Sequence, residues 1–318
     1  MAVSAATKTS DFSGFIPAEI ASPIFERAAR MSVVQRLVQQ VPLGYNGKSI
    51  PVTTGRPSAG WVSEGNAKPA SSGSMTLKNM SPQKLAAILV VSEEVVRANP
   101  GSYLQVAQNS LAEAFAIAFD YAALHDAGPD GSAGAGPFST YIDQTTKAQE
   151  LGTVTAGNGG VYKELVTALS TVVSDADASG RRYRLTGWAL DDVAEPLLLG
   201  QVDTTGRPVF IDSPPTDTAR GGSIIGRPAA MGEGVATADK VSVVGYGGDW
   251  SQAAWGVVGG INFSTSREAA VTINGSLVSA FENNLVVIRA EAEYGFVVAD
   301  PEAFVKLTNA DNSPVTSS

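Results

Sequence analysis

The spacing of hydrophobic residues along the chain predicts several strands. Residues 84–91 (KLAAILVV) and 285–298 (LVVIRAEAEYGFVV) are rich in aliphatic residues or alternate between apolar and polar positions, as strands with one or two buried faces do. Further strands are predicted at 182–190 (RYRLTGWAL) and from Lys240 onward. The C-terminal third is therefore predicted to be mostly β.

Two long helices are predicted between these strands. One runs from Tyr103 to about Asp126, a length of about 36 Å, and the other from Val161 to Ala176. Shorter helices are predicted near residues 24–35, after Ser92 and after Asp191 or Asp192. Many strands, few helices and no repeat at a fixed period are typical of an α+β fold.

The first long helix is hydrophobic on more than one face. One face carries Leu104, Leu111, Phe115, Ala118 and Ala122, and another carries Val106, Ile117, Tyr121 and Leu124. Its acidic residues are Glu113, Asp120 and Asp126, and it has no Lys or Arg. A helix that is apolar on several sides must be covered on several sides.

Residues 55–82 (GRPSAGWVSEGNAKPASSGSMTLKNMSP) form a long segment without helical periodicity, in which four large apolar residues stand among Gly, Ser, Pro, Lys and Asn. These are Trp61, Val62, Met75 and Leu77. Structureless loops beyond about 12–15 residues are uncommon and are usually functional or disordered. Residues 41–54 are predicted to form a strand, an Asn-Gly turn and a second strand, and the chain returns through 84–91. The sequence thus predicts a two-stranded excursion whose apolar side chains have no obvious place in their own core.

Composition limits the classes of function. The 318 residues suffice for about two domains. Of them 44% are hydrophobic and only 17% charged, below the globular average of about 25%. Such a surface is either unusually neutral or covered by other chains, and we favour the second. A net charge of −9 without a basic stripe argues against direct binding of DNA or RNA, because little is gained from counterion release.

Cysteine is absent, which removes disulfides, thiolate catalysis and zinc-thiolate sites. The N-terminus lacks the basic start and apolar core of a signal peptide. The longest apolar run, Leu85–Val91, is far below the roughly 18 residues that a membrane span requires. We expect a protein of a cytosol-like compartment, or one that leaves by lysis, without membrane association.

Few residues offer catalytic chemistry. The single histidine, His125, lies near the end of the long helix. Asp120 and Asp126 are not spaced to share its helical face, and no GxSxG motif supports a catalytic triad. A histidine favoured by the helix C-terminal dipole is the simpler interpretation. The glycines at 131, 134 and 136 follow a helix and precede Pro137, unlike a phosphate-binding loop, so we expect a turn.

Two acidic pairs are candidates for metal binding or hydrolysis. Asp191 and Asp192 diverge on a helix, and capping explains both. Glu291 and Glu293 share one strand face, as a carboxylate pair for glycosidic chemistry would, but Arg289 lies on the same face. We therefore expect a charge ladder of Arg289, Glu291 and Glu293 against neighbouring strands, with no catalytic residue, metal or cofactor.

Five stretches of the chain follow one another in an order shared with a known family. The first, residues 59–96, contains a Trp-Val-x-Glu-Gly passage, a Ser-rich run, a Lys-Leu strand and a Ser-Glu helix start. Its matching positions are Trp61, Glu64, Gly65, Lys84, Leu85, Ser92 and Glu93 or Glu94. The others are HDAGPDGSAGAGPF after the long helix, GWALDDVAEPLLLGQVDTTGRPVF, IIGRPAAM with GYGGDWSQAAWGVVGGINFSTSRE, and the stretch from Phe281 to Leu307.

In these features the chain resembles the major capsid protein of tailed bacteriophages, which has the Hong Kong 97 capsid fold. The resemblance implies an α+β fold in four parts. These are an N-terminal arm (1–40), an extended β-hairpin loop (41–83), a peripheral domain with the long spine helix (84–150 and 236–300) and an axial domain (151–235 and 301–318). The extended loop would lie over a neighbouring subunit. Its interface residues would be Trp61, Val62, Glu64, Lys68, Met75, Leu77 and Lys78.

The resemblance implies a structural subunit that self-assembles as pentamers and hexamers of an icosahedral head around double-stranded DNA. An acidic shell encloses DNA without binding it tightly. Partners would be further copies, a separate scaffold protein, a portal and a decoration protein, in a virion capsid assembled in the host cytoplasm. Two alternatives stay open: an encapsulin-type nanocompartment shell, and, more remotely, a hydrolase that uses Glu291 and Glu293.

Some relatives join an extended-loop lysine to an asparagine of a neighbouring subunit. Lys68, Lys78 and Lys84 are available here, but the region of the acceptor reads STSRE (264–268) and contains no asparagine. We therefore expect association without covalent cross-links.

Overall fold

The computed structural model describes most of the chain between residues 31 and 309. The described residues are 31–64, 66–68, 70–98, 103–155, 158–199, 210–212, 220–237, 242–273 and 275–309. Most of the predicted N-terminal arm falls outside these ranges, as does most of the stretch 200–219.

The described part of the chain contains five α-helices. They are α1 (Val33–Leu37), α2 (Glu93–Ala98), α3 (Tyr103–His125), α4 (Gly160–Val173) and α5 (Ala194–Leu199). Helix α3 is the long helix that the sequence predicts. Helix α4 ends before the predicted Ala176, because Ala176 forms an isolated β-bridge with Arg182 where the chain turns back.

The same part of the chain contains fifteen strands. They are β1 (Gln39–Gln40), β2 (Lys48–Gly55), β3 (Ser74–Met80), β4 (Gln83–Ser92), β5 (Ala148–Glu150), β6 (Gly187–Leu190), β7 (Phe210–Asp212), β8 (Arg220–Ile224), β9 (Arg227–Met231), β10 (Val243–Gly248), β11 (Ala253–Ser266), β12 (Ala270–Ile273), β13 (Ser276–Ser279), β14 (Leu285–Val298) and β15 (Phe304–Thr308). They form a four-stranded sheet, a seven-stranded sheet and the hairpins β2–β3 and β12–β13.

The four-stranded sheet has the order β1–β11–β14–β4, and α3 packs against it. Alternation along β14 buries Tyr294 and Phe296 beside α3. The ring of Phe119 on α3 lies 5.2 Å from that of Tyr294, 5.9 Å from Trp255 and 6.1 Å from Phe296. Tilted and edge-to-face ring pairs add to hydrophobic burial, so aromatic packing anchors α3 on this sheet.

The seven-stranded sheet has the order β5–β15–β10–β6–β9–β8–β7, with α4 packed on β5, β10 and β15. The family resemblance implies that Val243–Gly248 belongs to the peripheral segment 236–300. In the structure this strand, β10, pairs with β6 and β15 instead, inside the sheet built mainly from 151–235 and 301–318. Most buried side chains of both sheets belong to one contiguous core, and smaller separate clusters lie around Leu285, Val91 and Met80.

The prediction of a strand before the Asn-Gly turn is wrong. Residues 41–44 form no strand, because Pro42 has no N–H to donate to a ladder and Leu43 is buried against the body. The short strand β1 precedes them and pairs in parallel with Ala254 and Trp255. The strand after the turn, β2, pairs with β3 and not with 41–44.

No helix in the described ranges combines the length and apolar character needed to cross a membrane.

Candidate assembly surface

The arm, residues 41–83, rises from a notch in the four-stranded sheet. Gly256 and Gly295 lie opposite each other on β11 and β14. A Cβ at Gly256 would lie 2.7 Å from the carbonyl oxygen of Val41, and one at Gly295 would lie 2.7 Å from Leu43 Cδ2 and 2.8 Å from Met80 Cγ. Only glycine leaves this room. Leu43 and Met80 are both buried, so the two ends of the arm are anchored at the same place.

Beyond this notch the arm is a β-hairpin with two different faces, because residues opposite each other in an antiparallel register share a face. The outer face carries Pro51, Thr53, Met75 and Leu77. The inner face carries Ile50, Val52, Thr76 and Lys78. Ile50 packs against the cluster that contains Leu43 and Met80. The inner face is therefore turned towards the chain's own body at the base of the arm.

The outer face and the tip of the arm expose large apolar side chains. Met75 is 67% exposed and Leu77 is 65% exposed, while Trp61 at the tip is fully exposed and Val62 is 38% exposed. Single exposed apolar residues are ordinary, whereas several in one element mark an interaction surface.

The other residues predicted for the interface lie in different positions. Glu64 and Lys68 are exposed at the tip, near Trp61 in sequence. Lys78 is half-buried on the inner face, so it does not share the surface of Met75 and Leu77. Contact of these residues with a neighbouring subunit stays a prediction.

Hydrogen bonds give the distal part of the arm a defined conformation. Thr54 Oγ1 donates to Ser74 Oγ at 3.1 Å. Ser71 Oγ donates to the carbonyl oxygen of Ser58 at 3.0 Å and accepts from its N–H at 3.1 Å. Serine and threonine side chains therefore link the two sides of the arm, both at the ends of β2 and β3 and beyond them.

The residues predicted to form a charge ladder lie on β14. Glu291 Oε1 is 2.9 Å from Lys84 Nζ on β4 and 3.4 Å from Arg289 Nε. Lys84 stands opposite Glu293 in the strand register. The hydrogen bond from Lys84 lowers the pKa of Glu291, and Arg289 acts in the same direction. Glu291 is thus an ionised partner of two cations, and Lys84 belongs to the sheet and not to the arm.

His125 is buried at the end of α3, with partners that its helical neighbours did not indicate. Nε2 lies 2.5 Å from the carbonyl oxygen of Val235, and Nδ1 lies 3.2 Å from the hydroxyl of Tyr246. That hydroxyl donates to Asp143 Oδ1 at 2.9 Å, and Lys306 Nζ lies 2.5 Å from the same oxygen. Within the described ranges, no group of three or more His, Asp or Glu residues could hold a metal ion.

Asp191 acts as a local cap, as the sequence predicts. Its Oδ1 accepts from the N–H of Val193 at 3.0 Å, and its Oδ2 accepts from the N–H of Ala236 at 2.9 Å. The glycine-rich loop is a turn, with left-handed φ values of 81° at Gly131 and 72° at Gly134.

Sequence reasoning missed the role of Asp120. Its Oδ2 accepts from the N–H of Val33 at 2.7 Å, and its Oδ1 accepts from the N–H of Val34 at 3.1 Å and from Ser32 Oγ at 2.6 Å. Ser32 Oγ in turn accepts from the N–H of Gln35 at 3.0 Å. A side chain of α3 therefore satisfies the free N–H groups at the start of α1, far away in sequence.

The electrostatics of Asp120 follow from complete burial. Desolvation raises the pKa of this carboxyl from 3.8 to about 7, against the lowering effect of its hydrogen bonds and of nearby Arg36. The sequence did contain a signal for this role, since Asp120 is an acidic residue among the apolar positions of α3. A carboxylate that is buried with those positions needs hydrogen-bonding partners.

Comparisons with known proteins agree on one family. Residues 13–309 match the model of the phage capsid family. The probable major capsid protein gp17 of Mycobacterium phage L5 is 41% identical over 319 residues, which cover 96% of this chain and 93% of that protein. The probable major capsid protein gp17 of Mycobacterium phage D29 is also 41% identical, over 94% of this chain and 91% of that protein.

Solved structures share the fold. A chain from Gordonia phage Cozz superposes with a TM-score of 0.67 at 24% identity, covering 88% of this chain and 87% of that one. A chain from Mycobacterium phage Ogopogo also gives 0.67, at 23% identity. The predicted α+β fold of the Hong Kong 97 type is confirmed by these matches, and the encapsulin alternative is not favoured. The chain therefore belongs to the phage capsid family, as a structural subunit of a capsid.

Proposed function

We propose that this chain is the major subunit of an icosahedral phage head, arranged as pentamers and hexamers around double-stranded DNA. The family match over residues 13–309 supports this role, as do two extensively matching relatives named as probable major capsid proteins. The structural observation that carries it is the exposed apolar surface of the arm, formed by Trp61, Met75 and Leu77.

The arm lies over a neighbouring subunit and buries its outer face there. Fully burying a Met or Leu side chain stabilises by about 1.5–3 kcal/mol, so Met75 and Leu77, each two-thirds exposed, contribute about 2–4 kcal/mol together. Trp61 adds about 4–6 kcal/mol when fully buried, since a tryptophan buries about 150–250 Å² at about 25 cal/mol per Å². Association itself costs about 4–15 kcal/mol. One arm contact is therefore weak alone, and a closed shell needs many arms together.

The two sheets correspond to the two domains of the subunit in this proposal. The four-stranded sheet with α3 is the peripheral domain, and the seven-stranded sheet with α4 is the axial domain. Because β10 pairs with β6 and β15, we assign Val243–Gly248 to the axial domain in this proposal. The arm leaves the peripheral domain at the glycine notch of Gly256 and Gly295.

A structural role accounts for the polar groups better than catalysis does. Glu291 is paired with Lys84 and Arg289, and His125 is buried with Tyr246. We infer that the chain is not an enzyme and needs no cofactor. We also infer that it works with a separate scaffold protein, a portal and a decoration protein, and that it assembles in the host cytoplasm before it resides in the virion. The net charge of −9 suits a shell that encloses DNA without gripping it.

Single substitutions in the arm test this role. We expect Leu77→Ser and Trp61→Ser to leave the circular dichroism of the subunit unchanged and to reduce the yield of closed shells at least tenfold, as counted by electron microscopy and sedimentation. Thr76→Ala is the matched control, because Thr76 is exposed on the opposite face of the same strand.

Deletion of residues 57–72, which removes the tip with Trp61 and Val62 but keeps strands β2 and β3 and the buried Met80, is the stronger form of the test. We expect a soluble, folded subunit that completes no shells. Normal shells from the deletion variant, or loss of folding on deletion, would show that the arm is not an assembly element. Small shells filled with protein cargo from the unaltered chain would indicate a nanocompartment.

A further inference from the structure

A buried polar network joins the end of α3 to the seven-stranded sheet. His125 is the last residue of α3, Tyr246 lies on β10, and Lys306 lies on β15. Asp143 lies in a single 3-10 turn, Ile142–Gln144, next to them. His125 is 2% exposed and Tyr246 is fully buried, so water cannot readily replace a missing partner.

The number of protons in this network follows from the geometry. The carbonyl oxygen of Val235 only accepts hydrogen bonds, so Nε2 of His125 carries a proton. Lys306 Nζ, 2.5 Å from Asp143 Oδ1, makes Asp143 the ionised partner of an ion pair. The hydroxyl of Tyr246 has a single proton, and it faces both Asp143 Oδ1 at 2.9 Å and His125 Nδ1 at 3.2 Å.

Both contacts of the tyrosine are hydrogen bonds only if one more proton is present. The charged carboxylate is the stronger acceptor for the hydroxyl proton. The oxygen of Tyr246 can then only accept from Nδ1, which must therefore carry its own proton. With a neutral imidazole, two lone pairs would face each other, either between Tyr246 and Nδ1 or between Tyr246 and Asp143.

We propose that His125, Tyr246, Asp143 and Lys306 form a proton-dependent clasp, complete only when both ring nitrogens of His125 are protonated. The clasp holds the C-terminal end of α3 to β10 and β15. The folded chain then binds a proton that the unfolded chain lacks above neutral pH. Its contribution to stability is therefore present at lower pH and is lost as pH rises.

The surrounding groups support a cationic imidazole. The C-terminal end of a helix favours positive charge. The carboxylate of Asp143 lies one hydrogen-bond link from the imidazole, through the hydroxyl of Tyr246. Burial and Asp143 raise the pKa of Tyr246 well above its usual range, so its hydroxyl stays protonated. Lys306 faces the network as a cation through its ion pair with Asp143.

The chain has one histidine, so its ring nitrogens can be observed without ambiguity. We would label histidine with ¹⁵N and record solid-state NMR spectra of assembled shells at about pH 7.5, where an unperturbed imidazole is roughly nine-tenths neutral. We expect two protonated ring nitrogens. A spectrum with one protonated and one bare nitrogen in the unaltered protein would overturn the clasp without any variant.

Tyr246→Phe removes the group that requires the second proton. We expect the Nδ1 proton to be lost at the same pH in this variant. Tyr183→Phe is the matched control, because Tyr183 also donates to a carboxylate, Asp300, at 2.6 Å, and its loss should leave the histidine spectrum unchanged. A doubly protonated ring that persists in Tyr246→Phe would show that the tyrosine does not set the proton count. Because the spectra report protonation and not assembly, the same measurement on free subunits separates failure of this inference from failure of the proposed function.

Discussion

Asp120→Ala is expected to loosen the start of α1 from α3. The substitution leaves three buried donors without their acceptor: the N–H groups of Val33 and Val34 and the hydroxyl of Ser32. All three lie in a region with almost no solvent access. Segment 31–41 continues into β1 and the base of the arm, so its attachment matters beyond the helix itself.

The expected loss of stability in Asp120→Ala is the difference between two opposing effects. Three unpaired buried donors cost about 3–9 kcal/mol, at 1–3 kcal/mol each. Removing a carboxyl whose burial raises its pKa from 3.8 to about 7 returns up to about 4 kcal/mol, at 1.36 kcal/mol per pKa unit. The expected net loss near pH 8 is about 2 kcal/mol, comparable to the loss of a good helix N-cap.

Hydrogen–deuterium exchange of a peptide covering residues 31–38 measures this loss directly. A local opening that is easier by about 2 kcal/mol gives exchange that is about 30-fold faster. Glu113→Ala is the control, because Glu113 is an exposed acidic residue on the same helix. Equal exchange in the two variants would refute the role of Asp120 as a cap for α1.

Four further predictions follow from other parts of the molecule. The folded chain keeps a proton on Asp120 up to about pH 7, so the stability of the unaltered subunit in urea should fall as pH rises from about 4 to 7. Asp120→Asn should remove this part of the pH dependence, and parallel stability–pH profiles of the two proteins would contradict the prediction. Gly256→Ala should destabilise by about 1–3 kcal/mol through its contact with the Val41 backbone, measured as a lower Tm, whereas Gly44→Ala, with no atom near its added Cβ, should not. Phe115→Asp should prevent folding, since an unpaired buried carboxylate costs several kcal/mol and Phe115 is 2% exposed; soluble, shell-forming protein would show that α3 is not a core element. Particles boiled in detergent should run as one band near 32.7 kDa, and a ladder of larger species would reveal covalent links.

The sequence alone determined the elements with strong periodicity. The strand 285–298 and the long helix from Tyr103 follow from local patterns of apolar residues, and the structure places both as predicted. The arm could be predicted from the sequence because its large apolar residues stand in a segment that has no core of its own. The family was visible from the order of five stretches, since that order is also linear information.

Only the tertiary structure decided which distant groups meet. Ser32 and Asp120 are 88 residues apart, and His125 and Tyr246 are 121 apart. Nothing in the spacing around either residue indicates its partner, because side-chain periodicity describes one element at a time. The same limit explains the sheet to which β10 belongs and the failure of the strand expected at 41–44. For β10, backbone hydrogen bonds to the remote strands β6 and β15 outweighed the local pattern. For residues 41–44, the notch at Gly256 and Gly295, which accommodates Val41 and Leu43, did so.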